Sequence, residues 1–436
     1  MSMSCARFGH WGALLVWLST LGCSSPAATA RDPNPYLDDR AYRRAELEAA
    51  LVNPSDGYGQ VRLAHYATGT SSDWDNLPEW NPETESIAAA ELDAPGGATS
   101  AFAASPAALA LPDPADEAAL LAFGKLAFSR YPAQLAPFLE QGLTSRAAAT
   151  CYGLWLDDTR GVGGVVRARM ADGSSALALT CSSCHAAPSA ASSIEDGASN
   201  AALDLGAAVV AASGAALDPE IAARFASWGP GRLDVTTRVG LEPARIADLR
   251  AAHFQTNLQQ DATLRMRNET TLAIRIETLL ITSSGQVVRP PRVLALALAV
   301  YLESLAEGLP ALASAQAAFP QGARVFSDHC ASCHAPPALS GPAVALSVIG
   351  TDPTLGLSSD RGTGMYRVPS LRGVGTRGPL LHDGTVPSLA ALFDPARQTD
   401  AFSARLHGTG PVAGHPFGLD LPDADRSALL DYLSAL

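Results

Sequence analysis

The pentad Cys-x-x-Cys-His occurs twice in this sequence and constrains the fold and chemistry of the chain more than any other feature. The copies run from Cys181 to His185 and from Cys330 to His334. This spacing is the attachment sequence of c-type haems, in which two thiols bond to the porphyrin and the following imidazole ligates the iron. The sequence therefore predicts two covalently bound haems. The predicted attachment and proximal-ligand residues are Cys181, Cys184 and His185 for the first haem, and Cys330, Cys333 and His334 for the second.

The two cysteine pairs have a second interpretation, as a four-thiolate zinc site or a redox-active dithiol. A histidine follows the second cysteine in both copies, although the chain has only nine histidines in 436 residues. A zinc site has no use for that histidine, and the two pairs lie far apart in the sequence. We therefore favour haem attachment over zinc binding.

The length and charge of the chain limit its organisation and its partners. At 436 residues it exceeds one ordinary hydrophobic core, so we expect two domains and an extension. The formal net charge of -13 argues against a nucleic-acid-binding surface and against polybasic docking to a membrane. The expected macromolecular partner is a protein that donates or accepts electrons.

Residues 1–22 have the pattern of a lipoprotein-type signal peptide. Arg7 precedes an apolar run, from Trp11 to Leu21, that is too short to span a bilayer. The run ends in a sequence that resembles a bacterial lipobox, although Thr20 replaces the usual aliphatic residue. We therefore expect a lipid on Cys23, a periplasmic protein, and membrane contact only through that lipid anchor. Secretion with cleavage nearby is the alternative.

Residues 23–114 are interpreted as a tether and a mostly irregular N-terminal extension. One surface helix is expected over residues 37–52, and residues 88–114 have the Ala, Pro, Gly and Ser content of a linker or surface wrap. We found no function for this segment in its sequence. Farther along the chain, Cys151 is the one thiol without a predicted lipid or haem, and we expect it to be a small buried residue.

The rest of the chain contains an internal repeat, which predicts a first haem domain over 115–310 and a second over 311–436. Seven residues of the first half recur in the second at one constant spacing: Arg245, Ile246, Leu249, Arg250, Leu258, Asp261 and Thr263 match Arg367, Val368, Leu371, Arg372, Leu380, Asp383 and Thr385. Each half has an entry helix, a pentad, an Arg-x-x-x-Leu-Arg loop and a closing helix. The expected fold is therefore mainly α, with a small β-hairpin inserted before Cys181 around Asp172-Gly173.

Two further stretches, from Met365 to Arg372 and from Leu381 to Leu389, complete a resemblance to the bacterial di-haem cytochrome c peroxidase superfamily, which includes MauG-like enzymes and di-haem rubber oxygenases. The resemblance covers about residues 115–436. It implies two tandem cytochrome c-like domains, with one haem transferring electrons and the other reacting with peroxide or oxygen. It also implies a calcium ion between the domains, although the sequence has no dedicated acidic loop for one.

The resemblance leaves the sixth ligand of the second haem open. Peroxidases of this family use a methionine downstream of the His-Asp-Gly loop, whereas this chain has no methionine after Met365. His415 is one candidate, because its surroundings resemble the C-terminal part of the rubber oxygenases, whose second haem has two histidine ligands. Met365 and His382 are the alternatives, and His382 also suits a role in hydrogen bonding at the haem edge.

For the first haem, His253 is a candidate distal ligand or peroxide-cleaving base, with an ordinary surface histidine as the alternative. Gln260 occupies the position that the repeat gives to His382. If nothing coordinates the first iron from the far side, that iron is open to oxygen or peroxide. Four arginines are candidates to pair with haem propionates, since guanidinium suits carboxylates, or are otherwise surface or capping residues: Arg232, Arg245, Arg367 and Arg372.

These observations favour an extracytoplasmic di-haem oxidoreductase. In this hypothesis the C-terminal haem transfers electrons, while the N-terminal haem reduces peroxide or activates oxygen. The main alternative is an electron-transfer cytochrome in which both irons are six-coordinate. A third, non-redox alternative is an anchored protein that binds a polymer or partner through residues 24–114.

Overall fold

The computed structural model describes residues 31–436 except 33, 192 and 235–241. The predicted signal peptide and the predicted lipid-bearing Cys23 lie outside the described residues. In the described chain, 40% of residues are helical and 13% are in strands. The α-helices are Arg40–Ala50 (α1), Gly57–His65 (α2), Glu117–Arg130 (α3), Arg146–Cys151 (α4), Cys181–His185 (α5), Leu205–Ser213 (α6), Pro219–Ala226 (α7), Glu269–Ser283 (α8), Arg292–Ser304 (α9), Leu312–Ala318 (α10), Pro320–His329 (α11), Leu346–Ile349 (α12), Leu389–Leu392 (α13) and Asp423–Ser434 (α14).

The strands are short and form several small antiparallel sheets. The largest sheet of the described chain has four strands in the order β1-β5-β6-β2, and the other sheets are two-stranded. The strands are Thr84–Ser86 (β1), Gln134–Leu135 (β2), Leu156–Asp157 (β3), Gly161–Val162 (β4), Val165–Arg169 (β5), Ser175–Leu179 (β6), Ala186–Pro188 (β7), Ile194–Asp196 (β8), Arg232–Leu233 (β9), Ala244–Arg245 (β10), Asn257–Leu258 (β11), Leu264–Arg265 (β12), Gly341–Ala345 (β13) and Met365–Val368 (β14).

The prediction of a mainly α protein built from two tandem cytochrome c-like domains is wrong. The described chain is only moderately helical, contains several small sheets and shows no clear two-domain cytochrome layout. Strands of two to five residues are too short to produce a detectable alternation of apolar and polar side chains. The sequence pattern therefore showed the apolar helices and missed most of the strands.

The expectation of a mostly irregular N-terminal extension is wrong as well. Helix α1 confirms the helix expected over residues 37–52, whereas α2 was not expected; Asp39 caps α1 by accepting a hydrogen bond from the Tyr42 amide. Tyr36 and Tyr66 are fully buried in the largest core and donate hydrogen bonds of 2.8 and 2.6 Å to Glu277 of α8. Isolated aromatic residues without a helical or strand period gave no sign of this packing in the sequence.

The hairpin around Asp172-Gly173 is present, but it is part of a larger sheet rather than a separate insert. Strands β5 and β6 pair in antiparallel register from Val165 opposite Leu179 to Arg169 opposite Ser175. Strand β1 from the N-terminal extension pairs with the outer edge of β5. The sheet therefore joins the extension to the strand that leads into the first pentad.

The repeat is visible in how two pairs of helices pack. A Cβ atom placed on Gly124 of α3 would lie 2.0 Å from the carbonyl oxygen of Ala297 in α9. A Cβ atom on Gly322 of α11 would lie at the same distance from the carbonyl oxygen of Ala428 in α14. Glycine is required in both helices because any larger residue would separate the backbones. The repeated sequence thus encodes an equivalent close contact in each half.

An aromatic pair accompanies each of these glycine contacts. The rings of Phe128 and Tyr301 lie 5.5 Å apart, centroid to centroid, and so do the rings of Phe326 and Tyr432. Both pairs are steeply inclined, which is a favourable geometry for aromatic rings. The two helix pairs are therefore related in detail, although the chain as a whole does not form two helical domains.

One helical stretch of the described residues, Arg292–Ala318, is long and apolar enough to cross a membrane, and half of its most apolar window is buried. Its first part, α9, packs against α3 and α8 in the largest core cluster. Its residues from 294 to 302 are all buried within the protein. A core helix of a soluble protein is equally apolar, because all of its faces contact apolar neighbours.

Candidate functional site

The first pentad forms a single helical turn, α5, directly after strand β6. The hydroxyl groups of Thr180 and Ser183 donate hydrogen bonds of 2.8 and 3.0 Å to the carbonyl oxygen of Gly164. Gly164 has a φ of +63°, and a Cβ atom on it would lie 2.3 Å from the Ser182 hydroxyl. The β4–β5 turn therefore holds the start of the pentad in place.

His185 is oriented by a backbone carbonyl. Its Nδ1 lies 2.8 Å from the carbonyl oxygen of Ala247, just beyond β10. Because a carbonyl oxygen can only accept, Nδ1 carries the proton and Nε2 keeps the lone pair that a metal requires. Burial lowers the pKa of His185 and so favours this neutral form.

The second pentad has the same local arrangement. The amide of His334 donates to the carbonyl oxygen of Cys330 at 2.9 Å, which completes a helical turn after α11. The imidazole Nδ1 lies 3.2 Å from the carbonyl oxygen of Leu339, so Nδ1 can carry the proton here as well. His334 is buried, and this burial lowers its pKa.

The thiols of the pentads lie in apolar surroundings. Burial raises the pKa to about 11 for Cys181 and Cys330, and to about 12 for Cys184. These thiols stay protonated at neutral pH, which is unlike a reactive dithiol. Within the described ranges no three or more His, Cys, Asp or Glu side chains are arranged to hold a metal ion. The structure thus gives no support to the four-thiolate zinc alternative or to a dedicated calcium site.

A cavity lies beside the second pentad. Its volume is about 190 Å³, and further space lies where it opens to solvent. Cys330, Cys333 and His334 lie on its wall. Most of the remaining wall is apolar, and its larger apolar side chains are Phe326, Ile349, Leu371, Leu380, Leu389, Leu392, Phe393 and Leu433.

His415 lies on the wall of the same cavity as His334. Burial and the nearby His334 lower the pKa of His415 to about 4, so its imidazole is neutral at pH 7. The Nδ1 atom of His415 is buried without a hydrogen-bond partner. His415 also has a φ of +46°, which is rare for a non-glycine residue and is typical of a functional constraint.

His382 also lines this cavity, whereas Met365 does not. The His382 ring stacks on Tyr366 at 4.3 Å between centroids, and its Nδ1 is buried without a partner. The charges that act on His382 come from aspartates and arginines, whereas His334 is among the groups that lower the pKa of His415. This proximity favours His415 over His382 as the second imidazole of the site.

Three arginines reach the cavity with buried nitrogen atoms that have no hydrogen-bond partner: Arg245 Nη1, Arg367 Nε and Arg377 Nε. Burial lowers the pKa of Arg367 to about 9 and that of Arg377 to about 10, and both guanidinium groups are still charged at pH 7. Across the described chain, none of the three forms an ion pair with a carboxylate. An anionic ligand would stabilise guanidinium groups in this position, because burial is costly for a charge without a partner of opposite sign.

Sequence reasoning selected Arg245 and Arg367 but missed Arg377. Arg377 donates to the carbonyl oxygen of Ser370 at 2.8 Å, and also to that of Arg372. Its position six residues beyond Leu371 follows the loop that the repeat identified, but the first half has no arginine at the equivalent position. No signal in the sequence distinguished it from a surface arginine.

Arg232 and Arg372 do not line the cavity. Arg232 of β9 lies opposite Arg245 of β10 in the register of these antiparallel strands. The Nε atom of Arg232 is buried without a hydrogen-bond partner. Arg372 donates to the carbonyl oxygen of Pro310 at 2.7 Å and covers the ring of Phe254 at 4.7 Å. Of the four arginines predicted from the sequence, Arg245 and Arg367 therefore line the cavity, whereas Arg232 and Arg372 do not.

The remaining candidates for the first haem site are His253 and Gln260. His253 is exposed, with its ring against Phe254, and this position gives no support to a distal role. Gln260 lines the cavity of the second pentad. Asp248 and Arg275 are the charged groups that act on the pKa of His185.

One other expectation concerns a residue outside these sites. The prediction that Cys151 is buried is wrong, because it is exposed at the C-terminal end of α4. The short helix leaves its last side chain outside the apolar cluster that Ala149 joins.

The cavity of the second pentad fits a covalently attached haem by the chemistry of its wall. It offers two thiols, the neutral imidazoles of His334 and His415, an apolar lining and three guanidinium groups without a carboxylate partner in the described chain. A covalently attached porphyrin with two propionates uses groups of each of these kinds. The first pentad offers the thiols and the oriented imidazole.

Comparison with known proteins adds no evidence for or against this assignment. No protein-family model matches the chain, and no curated protein sequence matches it either.

Proposed function

We propose that this protein is an extracytoplasmic di-haem c-type oxidoreductase related to the di-haem cytochrome c peroxidases. Its second haem would transfer electrons, and its first would reduce peroxide or activate oxygen. The observation that carries the proposal is that His334 and His415 line one cavity together with Cys330 and Cys333. Such a set of side chains is suited to a covalent haem with two axial histidines.

The proposed role of the second site is electron transfer. The bound haem supplies one-electron redox chemistry. His334 and His415 would occupy both axial positions, which excludes small molecules from the iron. The neutral form of each imidazole, favoured by burial, is the form that ligates a metal.

The arginines of the cavity would neutralise the propionates and set the electrostatic field. Arg245, Arg367 and Arg377 each present a buried nitrogen without a partner. Positive charge near the iron favours the reduced state, because reduction lowers the charge of the centre. We therefore assign to these residues both the anchoring of the haem and an increase of its reduction potential.

The proposed chemistry resides at the first site. The carbonyl oxygen of Ala247 orients His185, which would ligate the first iron. His253, the candidate distal residue, is exposed, and this position supports an iron with an accessible sixth position. The alternative, a plain electron carrier, requires a sixth ligand at both irons.

The spin state of the ferric protein separates these two functions. Protein matured in a host that attaches c-type haems should carry two haems by mass, with one low-spin and one high-spin signal in electron paramagnetic resonance. Peroxide should perturb the high-spin signal. Two low-spin signals that peroxide leaves unchanged would contradict catalysis and favour the carrier.

The axial assignment is tested by replacing His415 with alanine. The low-spin signal of the second haem should become high-spin, and added imidazole should restore it. His382→Ala is the matched control, because His382 lines the same cavity but stacks on Tyr366. A spectrum that changes in His382→Ala and not in His415→Ala would reverse the assignment.

The proposed location is the periplasmic side of a bacterial membrane, with a lipid on Cys23 and a protein redox partner. Covalent haem attachment in bacteria takes place outside the cytoplasm, which agrees with the signal-like N-terminus. Cys23→Ser should move the protein from the membrane fraction to the soluble fraction. Equal membrane association of both forms would contradict the anchor.

A further inference from the structure

Arg397 is a fully buried arginine whose hydrogen bonds all go to backbone carbonyls. It lies in the 3-10 helix Pro395–Gln398, and its relative exposure is 0%. Nε donates to Leu392 at 2.7 Å, Nη1 donates to Val412 at 2.8 Å, and Nη2 donates to His415 at 2.6 Å. No carboxylate of the described chain pairs with this guanidinium.

A buried cation without an acidic partner is costly, because desolvation favours its neutral form. Burial accordingly lowers the pKa of Arg397. Within the described chain, three carbonyl oxygens compensate this charge, one from the end of α13 and two from the loop before α14. The Val412 amide also donates to the carbonyl oxygen of Arg397 at 2.6 Å, which closes a reciprocal contact.

This contact determines the backbone of His415. Arg397 binds the carbonyl oxygen of His415, and the amide of His415 donates to the carbonyl oxygen of Ile349 at 2.7 Å. Both peptide groups of a residue with a φ of +46° are therefore held from outside its own loop. A left-handed conformation is unfavourable for histidine, so it persists only where neighbouring contacts impose it.

The backbone also has little room to relax on its N-terminal side. Gly414 precedes His415 with a φ of +91°, and a Cβ atom on it would lie 2.5 Å from the Thr351 backbone. With the amide, the carbonyl and the preceding residue all constrained, the direction of the Cα–Cβ bond of His415 is set. That direction places the imidazole on the wall of the cavity that the pentad also lines.

We propose that Arg397 is a positioning residue that holds the His415 imidazole in place as the sixth ligand of the second haem. The inference rests on the proposed function, in which His415 ligates that haem. Without Arg397 the loop would relax toward an ordinary backbone conformation. The imidazole would then leave the cavity wall for part of the time.

The test uses the full-length protein with both haems and compares Arg397→Gln, Arg397→Lys and His415→Ala. Arg397→Gln should give a high-spin signal from the second haem, and added imidazole should convert it back to low spin. Arg397→Lys keeps the charge and one donor, so it should stay mostly low-spin but bind cyanide at the second haem at least tenfold faster. A merely structural residue would change unfolding without changing ligand access.

Arg405→Gln is the matched control. Arg405 donates to the carbonyl oxygens of His407 and Pro411 in the same region of the chain, but not to His415. The Arg405→Gln substitution removes the same charge as Arg397→Gln, and it should leave both the spin state and the rate of cyanide binding unchanged. Equal effects of Arg397→Gln and Arg405→Gln would overturn the specific role of Arg397.

The outcomes separate the inference from the proposed function. If His415→Ala leaves the low-spin signal intact, the ligand assignment itself fails, and the inference fails with it. If His415→Ala changes the signal and both Arg397 variants keep the wild-type spectrum and cyanide rate, only the inference fails. Should Arg397→Gln not mature with two haems, the cyanide rate of Arg397→Lys decides the question alone.

Discussion

The backbone amide of Arg245 donates a hydrogen bond to the carbonyl oxygen of His382 at 2.9 Å. The repeat relates Arg245 to Arg367 and His382 to Gln260, and the amide of Arg367 donates to the carbonyl oxygen of Gln260 at 3.0 Å. The two repeated loops therefore exchange equivalent hydrogen bonds across the boundary between the halves. Through this contact Arg245, from the first half, reaches the cavity of the second pentad.

The same segment also connects the two candidate iron sites. The carbonyl oxygen of Ala247, two residues after Arg245, holds the imidazole of His185. The backbone from Arg245 to Ala247 and the hydrogen bond to His185 therefore link the two sites structurally. The cavity of the second pentad is thus a product of both halves of the chain.

Removal of positive charge from this cavity should lower the reduction potential of the second haem. We expect Arg367→Gln to shift that potential downward by about 30–60 mV, where about 59 mV is a tenfold change in a one-electron equilibrium. Arg367 is buried, and the field of a buried charge is weakly screened. Spectroelectrochemical titration measures the potential. Arg405→Gln, with the same change in net charge, should shift it much less, and equal shifts would contradict a local effect.

The glycines of the paired helices should be intolerant of a methyl group. Gly124→Ala would place Cβ 2.0 Å from the carbonyl oxygen of Ala297, and Gly322→Ala would meet Ala428 in the same way. We expect each to lower the free energy of unfolding by about 1–3 kcal/mol through overpacking. Gly308→Ala is the control, because no atom lies within 4 Å of its added Cβ. Urea denaturation measures all three, and a Gly308-like result for Gly124 would refute the close contact.

Asp56 should make stability depend on pH. It caps α2 by accepting from the Gly59 amide at 2.6 Å, while its Oδ2 is buried without a partner. Burial raises the pKa of Asp56 from 3.8 to about 6. The folded state therefore retains a proton that the unfolded state has lost, and the contribution of this group to stability disappears as pH rises from about 4 to about 6.

Asp56→Asn isolates this effect, because asparagine also caps helices but does not titrate. Relative to the variant, the wild type should lose on the order of 1–3 kcal/mol of unfolding free energy between pH 4 and pH 7. Urea denaturation of both proteins across this range measures the difference. A constant difference between them would show that the Asp56 pKa is the same in the folded and unfolded states.

Glu277 should anchor the N-terminal segment. Its carboxylate accepts from Tyr36 and Tyr66, and its Oε1 lies 3.3 Å from Nε of Arg292. Glu277→Gln leaves buried donors without a charged acceptor and should cost about 3 kcal/mol. Limited proteolysis should then cut before α3. Tyr36→Phe removes only one hydrogen bond and should cost about 1 kcal/mol; an equally large loss there would contradict a central role for the carboxylate.

Local features of this protein could be read from its sequence. Residue type and spacing indicated the haem-attachment pentads and the internal repeat. They also indicated the repeated glycines Gly124 and Gly322, and the arginines Arg245 and Arg367. The hairpin before Cys181 was also marked by its turn. These signals are short-range, because one turn of helix or one turn of chain is enough to impose them.

Only the tertiary structure decided which distant residues share a surface. Met365 and His415 were both candidates for the second haem, yet only His415 lies on the wall of the cavity with His334. Nothing in the sequence distinguished Arg377 or Arg397 from other arginines, yet Arg377 lines the cavity and Arg397 is fully buried. The N-terminal extension resembled a linker, yet Tyr36 and Tyr66 join the largest core. The physical reason is that burial and hydrogen bonding depend on contacts between segments far apart in the chain, which no local pattern of residues encodes.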